Sequence, residues 1–589
     1  MKKRLSALLA LLLCAALLCG CAGPEERSYR LTEGLVRLLG TGNQAESGDM
    51  LPFGQIEYVR PEGELEALQS QIDRLEELLE ADAGLGELTE VLDACFDSYN
   101  HFMTQYTVAE IRSCQDMTDQ FYENEYAWCE EYYYQLQALM DEMYFLCGGS
   151  KQAKKLEKEY FWEGFAAEYA DSSSSAFSDE MEQLYQQEAK LLSRYRALLG
   201  SPTITVDGQE VDFYGYLMEA DDEEYFDAWM NYYRSYNERF GELYIELVKV
   251  RSAEAKALGF DSFEEYAYRY SFERDYSPAE ARAYLAGIRE ILVPLYLDLQ
   301  ERGALESDYL RGMSEQELEQ VLQSAAESMG GDAEEAFRFL RDYELYDIRL
   351  SERKMDKSFQ DYLNDYEAPY VFVKTKGDLS DVTTFAHEFG HALDAYVNYN
   401  AYESIDVAEC FSQAMELLLI DRADGQLSDW EREALMRYKA LDNLDMYVQQ
   451  GSFAEFEELV YSVDPEELTV EMLNDFSLQT AKDYGYFEPG YEDYYALSWI
   501  DITHFFETPF YVISYPVSND MAMQIYELER QEHGAGLEKY LQMLPRDYDG
   551  LLETLSAGGL DSPFAPGRLE AVAADLESQI LGESAEQAA

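Results

Sequence analysis

Residues 381–400 read DVTTFAHEFGHALDAYVNYN and hold two of the five histidines in a chain of 589 residues. Ser380 can cap a helix whose first turn carries Asp381, and both residues suit the positive end of a helix dipole. In such a helix His387 and His391 project from one face, one turn apart. Their imidazole nitrogens can then each come within about 2 Å of a single metal ion. Glu388 is angled off the pair, placed to touch a water on the ion rather than the ion itself.

The pattern is H-E-x-x-H, the zinc-protease signature, in which the ion lowers the pKa of water toward about 7 and the glutamate takes its proton. With five histidines and 118 acids in the chain, a random sequence of this composition holds His-acid-x-x-His in fewer than about 0.01 copies. The plainer alternative is two histidines on a polar helix face. One zinc per chain is the expectation, and a catalytic zinc takes three protein ligands while leaving a fourth position open. The stretch SIDVAECFSQAMELLLI, 404–420, reads as a helix with Ala408, Phe411, Met415 and Leu418 on one side. Glu409 and Glu416 lie two turns apart on a shared face. Glu409 is the expected third ligand, and Glu416 is expected to orient a metal histidine. In so acidic a chain either could also be an ordinary exposed carboxylate.

Around this stretch the chain reads as mostly α. It has 14 prolines and short β-branched runs. Segments such as LEALQSQIDRLEELLEA repeat apolar residues every three or four positions. Tyrosine and phenylalanine stripes at that spacing are core residues rather than ligand-stacking ones. Two stretches break the helical period: PTITVDGQEVDF at 202–213, where Asp207-Gly208 suits a hairpin turn, and PYVFVKT at 369–375, a strand. The net charge of −74 excludes polyanionic partners, nucleic acid included, and favours cationic peptides.

The N-terminus reads MKKRLSALLALLLCAALLCGCAGPEE. Its apolar run is shorter than the roughly 20 residues of a spanning helix, so residues 1–20 are expected to be a secretory signal. Leu18-Cys19-Gly20-Cys21 also resembles a bacterial lipobox, with Cys21 the lipidated first residue of the mature chain; an ordinary signal peptide is the alternative. The protein is thus expected to be an exported lipoprotein of the bacterial cell membrane, touching the membrane through its N-terminal lipid only, with its catalytic domain extracytoplasmic. Residues 21–60 read as a tether, 61–200 as an N-terminal helical domain, 201–580 as the catalytic domain and 581–589 as a tail. Cys95, Cys114, Cys129 and Cys147 allow two disulfides in any of three pairings or four buried thiols.

DVTTFAHEFGHA followed by DVAECFSQAMELL resembles the active site of the thimet oligopeptidase and oligoendopeptidase F family of zinc peptidases. RSAEAKALGFDSFEEYA at 251–267, WIDITHFFETPFYVISYPVS at 499–518 and KYLQMLPRDYDGLLETLSAGGLDSPF extend the likeness over most of the chain. The resemblance implies a multi-helix zincin-type fold with a deep cleft and a small β element beside the zinc helix. It implies a His387, His391, Glu409 zinc site with Glu388 as base. It also implies that His504, Tyr511 and Tyr515 face the zinc water and donate hydrogen bonds to the substrate carbonyl, Tyr511 and Tyr515 being one helical turn apart. The strand at Tyr370–Thr375 is expected to pair with an extended peptide as an added strand. Asp394 stands where relatives often carry a further histidine, and SERKMDKSFQDYLN replaces the usual glycine-bearing text. The implied activity is internal cleavage of short unfolded peptides. The alternatives are a carboxypeptidase or dipeptidyl carboxypeptidase of the same class, and a catalytically silent peptide-binding lipoprotein.

Overall fold

Leucine and isoleucine at three- and four-residue steps build the first long helix, α1 (Glu62–Glu80), which buries Leu65, Leu68, Ile72, Leu75 and Leu78 on one face. It packs against α2 (Leu85–Gln115) and α3 (Gln120–Gly148). Asp119 caps α3 by accepting from the backbone N–H groups of Phe121 and Tyr122. The three helices share a core of their own that includes Leu68, Phe102, Met140 and Cys147. The computed structural model describes residues 50–582 apart from 163, 171–178, 201, 218–219, 308–309, 352, 400–403, 424 and 547–549. The expected signal, Cys21, most of the 21–60 tether and residues 583–589 lie outside the described residues. No helix among the described residues is long and apolar enough to cross a membrane.

The hairpin forms where it was expected. Strands β1 (Thr203–Val206) and β2 (Gln209–Asp212) pair antiparallel, and Asp207 and Gly208 turn the chain with φ of 51° and 77°, the left-handed pair that matches strand twist. Helix α4 (Asp222–Ala257) follows, 36 residues long.

A three-stranded sheet precedes the histidine helix, made of β3 (Tyr346–Asp347), β4 (Phe359–Leu363) and β5 (Ala368–Phe372). Its order is β3-β5-β4. The strand expected near residue 370 is therefore present but central: β4 pairs with it antiparallel on one side and β3 parallel on the other. On the β3 side the pairing covers Val371 and Phe372 only, so at those two positions the strand is not the free edge that was expected. Every residue of β5 is buried, as suits a strand covered on both faces.

Behind the sheet lie α5 (Asp381–Asn398), α6 (Ile405–Arg422), α7 (Asp429–Tyr461), the short α8 (Thr503–Glu507) and α9 (Ser514–Gln531). Helix α6 is flanked by α5 and α9 and is buried almost all round, so its two glutamates are carried into the interior. Ser380 precedes α5 without capping it. Its N–H and hydroxyl both go to Asp378, at 2.8 and 2.6 Å, while Asp381 accepts from the backbone N–H groups of Lys376 and Gly377. Cys95, Cys114, Cys129, Cys147 and Cys410 are all free and buried, which decides the cysteines in favour of thiols.

Candidate metal centre

A glycine sets how closely α5 and α6 approach. A Cβ on Gly390 would stand 2.6 Å from Cα of Ser412 and 2.9 Å from the carbonyl oxygen of Phe411. With a hydrogen there instead, the helix bearing His387 and His391 lies directly on the helix bearing Glu409 and Glu416.

His387, His391 and Glu409 each offer a donor atom, and these atoms lie within 4.8 Å of one another. His387 Nε2 is 3.3 Å from His391 Nε2 and 3.4 Å from a Glu409 oxygen. Donors at about 2.1 Å around a tetrahedral zinc are separated by about 3.4 Å. The spacing therefore suits a common ion, and the two-nitrogen, one-oxygen set is a known catalytic zinc chemistry. Nδ1 of His387 lies 2.9 Å from Glu416. That contact assigns the proton to Nδ1 and leaves the Nε2 lone pair for a metal. The second oxygen of Glu416 accepts from Lys439, itself 1% exposed, at 2.6 Å, and Lys439 also donates to Asp442 at 2.7 Å.

Glu388 is buried, 2% exposed, and close enough to His387 for its charge to raise that imidazole's pKa. On the other side, Tyr511 donates to Glu409 Oε1 at 2.9 Å, and Ser412 donates to the other oxygen at 3.1 Å. The His504 ring lies 5.0 Å from that of Tyr511 and 6.1 Å from that of Tyr515, and the two tyrosine rings are 5.3 Å apart. Tyr511 and Tyr515 thus pack together, but not as neighbours on one helix. Tyr511 sits in a turn ahead of α9, where its N–H bonds to Thr508 and its carbonyl accepts from Ser514.

Burial and charge compete throughout. Burial pushes the His387 pKa down, but the hydrogen bond to Glu416 and the charges of Glu409 and Glu416 outweigh it and raise it to about 9. His391, half-buried beside His387, is pushed down to about 3 by desolvation and by its neighbour. Burial raises the Glu409 carboxyl. Glu416 is buried as well, yet Lys439 and His387 hold it below its usual value. Burial alone takes His504 down to about 4, so its ring is neutral at neutral pH.

Lys439 and Arg546 are the residues that sequence reasoning missed. Arg546 grips Asp394 with two nitrogens, at 2.7 and 2.8 Å, one turn along α5 from His391. The signal for it was present: an acid at 394, where relatives often carry a histidine, needs a partner once buried. Lys439 left no such signal, because a lysine in a polar helical segment usually reads as solvated. A second acid-histidine group among the described residues, Asp421, Glu529 and His533, is an ion-pair knot. There Glu529 already accepts from Arg422 and from the N–H groups of Gly534 and Leu537.

Two histidines one turn apart on a buried helix, met by a glutamate from the helix packed against it, define the zincin class of fold. Residues 53–174 match the Peptidase M3 N-terminal domain, and residues 343–556 match Peptidase family M3. The chain belongs to peptidase family M3, the family of the oligoendopeptidases F. It is 26% identical over 380 residues, 56% of its length, to oligoendopeptidase F (chromosomal) of Lactococcus lactis subsp. cremoris. It is also 26% identical over 225 residues, 36% of its length, to oligopeptidase PepF of Bacillus subtilis (strain 168). These matches span 59% and 33% of the two relatives' own lengths. The fold resembles that of PZ peptidase A solved with an inhibitor, with a TM-score of 0.75 and 22% identity, over 90% of this chain and 99% of that one. It also resembles oligoendopeptidase F from Enterococcus faecium, with a TM-score of 0.54 and 20% identity, over 88% of this chain and 97% of that one.

Proposed function

We propose that the protein is an exported, lipid-anchored, zinc-dependent oligoendopeptidase that cuts internal bonds of short, unfolded peptides. The observation that carries the reading is the donor triangle of His387, His391 and Glu409, with edges of 3.3 and 3.4 Å about His387 Nε2. A zinc ion held by these three supplies Lewis acidity, which makes water a nucleophile at neutral pH.

The chain's own groups do the rest. Glu388 takes the proton that the attacking water gives up and passes it to the leaving amine. As the substrate carbonyl oxygen gains charge, Tyr515 and neutral His504 supply O–H and N–H donors and Tyr511 turns its O–H from Glu409 to join them, each worth about 3 kcal/mol of barrier in a site shielded from water. Glu416, fixed by Lys439, keeps the His387 lone pair directed at the ion. The donors lie in the interior, with His387 5% and Glu409 0% exposed, which favours flexible peptides over folded proteins.

A carboxypeptidase needs a free cation for the terminal carboxylate. Among the described residues, Lys439, Arg546 and Arg274, which the fold brings close, are already bonded to Glu416, Asp394 and Asp406, which supports the endopeptidase reading. The N-terminal apolar run and lipobox support export and anchoring.

The test is a mixture of peptides incubated with the purified protein, with and without a chelator, and read by mass spectrometry. Chelator-sensitive internal cuts are expected. Removal of C-terminal residues alone would transfer the reading to a carboxypeptidase, and no cleavage at any zinc level would leave a binding protein.

A further inference from the structure

The segment that runs from His504 in α8, through an irregular stretch carrying Tyr511, to Tyr515 in the first turn of α9 is held by buried cations at two points. Arg251 on α4 is 1% exposed and pairs with Glu188 at 2.8 Å. It donates to the carbonyls of Phe505 and Phe506, directly after His504. Farther along, Phe510 takes a φ of 69°, a left-handed conformation that a phenylalanine adopts only where its surroundings impose it.

Both peptide groups of Phe510 are held by buried ionisable side chains. Its N–H donates to Glu457 on α7 at 2.8 Å. Its carbonyl accepts from Nη2 of Arg274 at 2.9 Å. The same nitrogen donates to Oγ of Ser514, the first residue of α9, at 2.8 Å. Nε of Arg274 lies 3.3 Å from Asp406, in the first turn of α6. One guanidinium is therefore bonded both to the helix that carries Glu409 and to the loop that carries Tyr511.

Arg274 is itself fixed. Its guanidinium carbon stands 4.6 Å from the ring centre of Tyr268 and 4.5 Å from that of Phe272, and its backbone N–H donates to the Tyr268 carbonyl at 2.7 Å. Burying a charge this completely is costly unless it is paired and hydrogen-bonded, which Nε and Nη2 of Arg274 achieve. A lysine could not replace it, because a single ammonium lacks the planar fork that reaches Asp406, Phe510 and Ser514 together.

We propose that Arg274 is a positioning residue: it fixes the Phe510 turn against α6, so that Tyr511 and the Glu409 carboxylate keep their spacing through turnover. The proposal rests on the reading of this centre as a zinc peptidase site.

The test uses the full-length protein and a fluorogenic peptide cut at an internal bond. Arg274→Lys is compared with wild type in thermal unfolding, zinc per chain, kcat and KM. The lysine variant is expected to fold, to hold about one zinc, to keep KM within about twofold and to lose about 10–100-fold in kcat, because a small misplacement of a donor is felt only at the transition state. Ser514→Ala drops one acceptor and leaves the charge in place. It is expected to lose about three- to tenfold in kcat with zinc and KM unchanged. Wild-type kcat in a folded Arg274→Lys overturns the proposal, as does a kcat loss there that tracks lost zinc. Where the lysine variant does not fold, wild-type kcat in Ser514→Ala overturns it instead. A wild-type protein without chelator-sensitive cleavage refutes the peptidase reading itself.

Discussion

The hydroxyl of Tyr511 donates to Glu409 Oε1 at 2.9 Å, so a residue expected to stabilise the transition state also orients one of the three metal donors. Both roles hang on one oxygen atom. Tyr511→Phe is accordingly expected to lower turnover about 100-fold and to weaken zinc binding about tenfold, since removing a group that orients a ligand typically costs that much affinity. Zinc titration and steady-state kinetics on the same variant separate the two effects. Unchanged zinc affinity would confine Tyr511 to the reaction itself.

Glu388 and Glu409 are expected to part company. Glu388→Gln should keep about one zinc per chain and lose several orders of magnitude in turnover, because an amide cannot accept the proton. Glu409→Ala should lose zinc, since two imidazoles alone are a weak site. Metal content and turnover measured on both variants check the assignment, and full zinc occupancy in Glu409→Ala would remove it from the ligand set.

Gly390→Ala tests the helix contact. The added methyl meets backbone of Phe411 and Ser412 at under 3 Å, and neither neighbour is the end of a flexible side chain. The variant is expected to be less stable by about 1–3 kcal/mol and to bind zinc more weakly, as α6 is pushed off α5. Thermal unfolding with zinc titration measures both effects, and wild-type values in each would show that the helices have slack.

Glu457 provides a pH dependence away from the metal. It is fully buried, and desolvation raises its carboxyl to about 8. A group raised in the folded state contributes stability that is complete below its unfolded value, near 4.5, and is lost as pH rises through about 8. Stability should therefore fall between about pH 5 and 9 by an amount on the order of a few kcal/mol. In Glu457→Gln that part of the fall should disappear. Denaturant unfolding across this range checks it, and parallel curves for the two proteins would show that Glu457 does not titrate there.

Much of the centre was legible because histidine is rare in this chain. Two of five histidines spaced four apart on an apolar helical pattern announce His387 and His391, and a seven-residue step between glutamates announces Glu409 and Glu416. What stayed hidden depended on long-range pairing. The sheet order was unreadable because β3 is two residues long, too short to carry a strand pattern, so β5 looked like an edge. Ser380 looked like a cap because its residue type suits one, but Asp378 captures both its donors. The turn at Tyr511 follows from bonds to Arg274 and Glu457, which stand far from it in sequence, and no local spacing encodes them.

The five buried thiols also decide how the fold responds to its chemical surroundings. Burial lifts Cys95 and Cys129 to about 12 and Cys114 to about 11, which leaves almost no thiolate to attack an oxidant or a disulfide. With no crosslink among the described cysteines, the helical framework holds through packing, hydrogen bonds and ion pairs. It should then stand equally well in a reducing cytoplasm and an oxidising exterior, and need no oxidoreductase to mature.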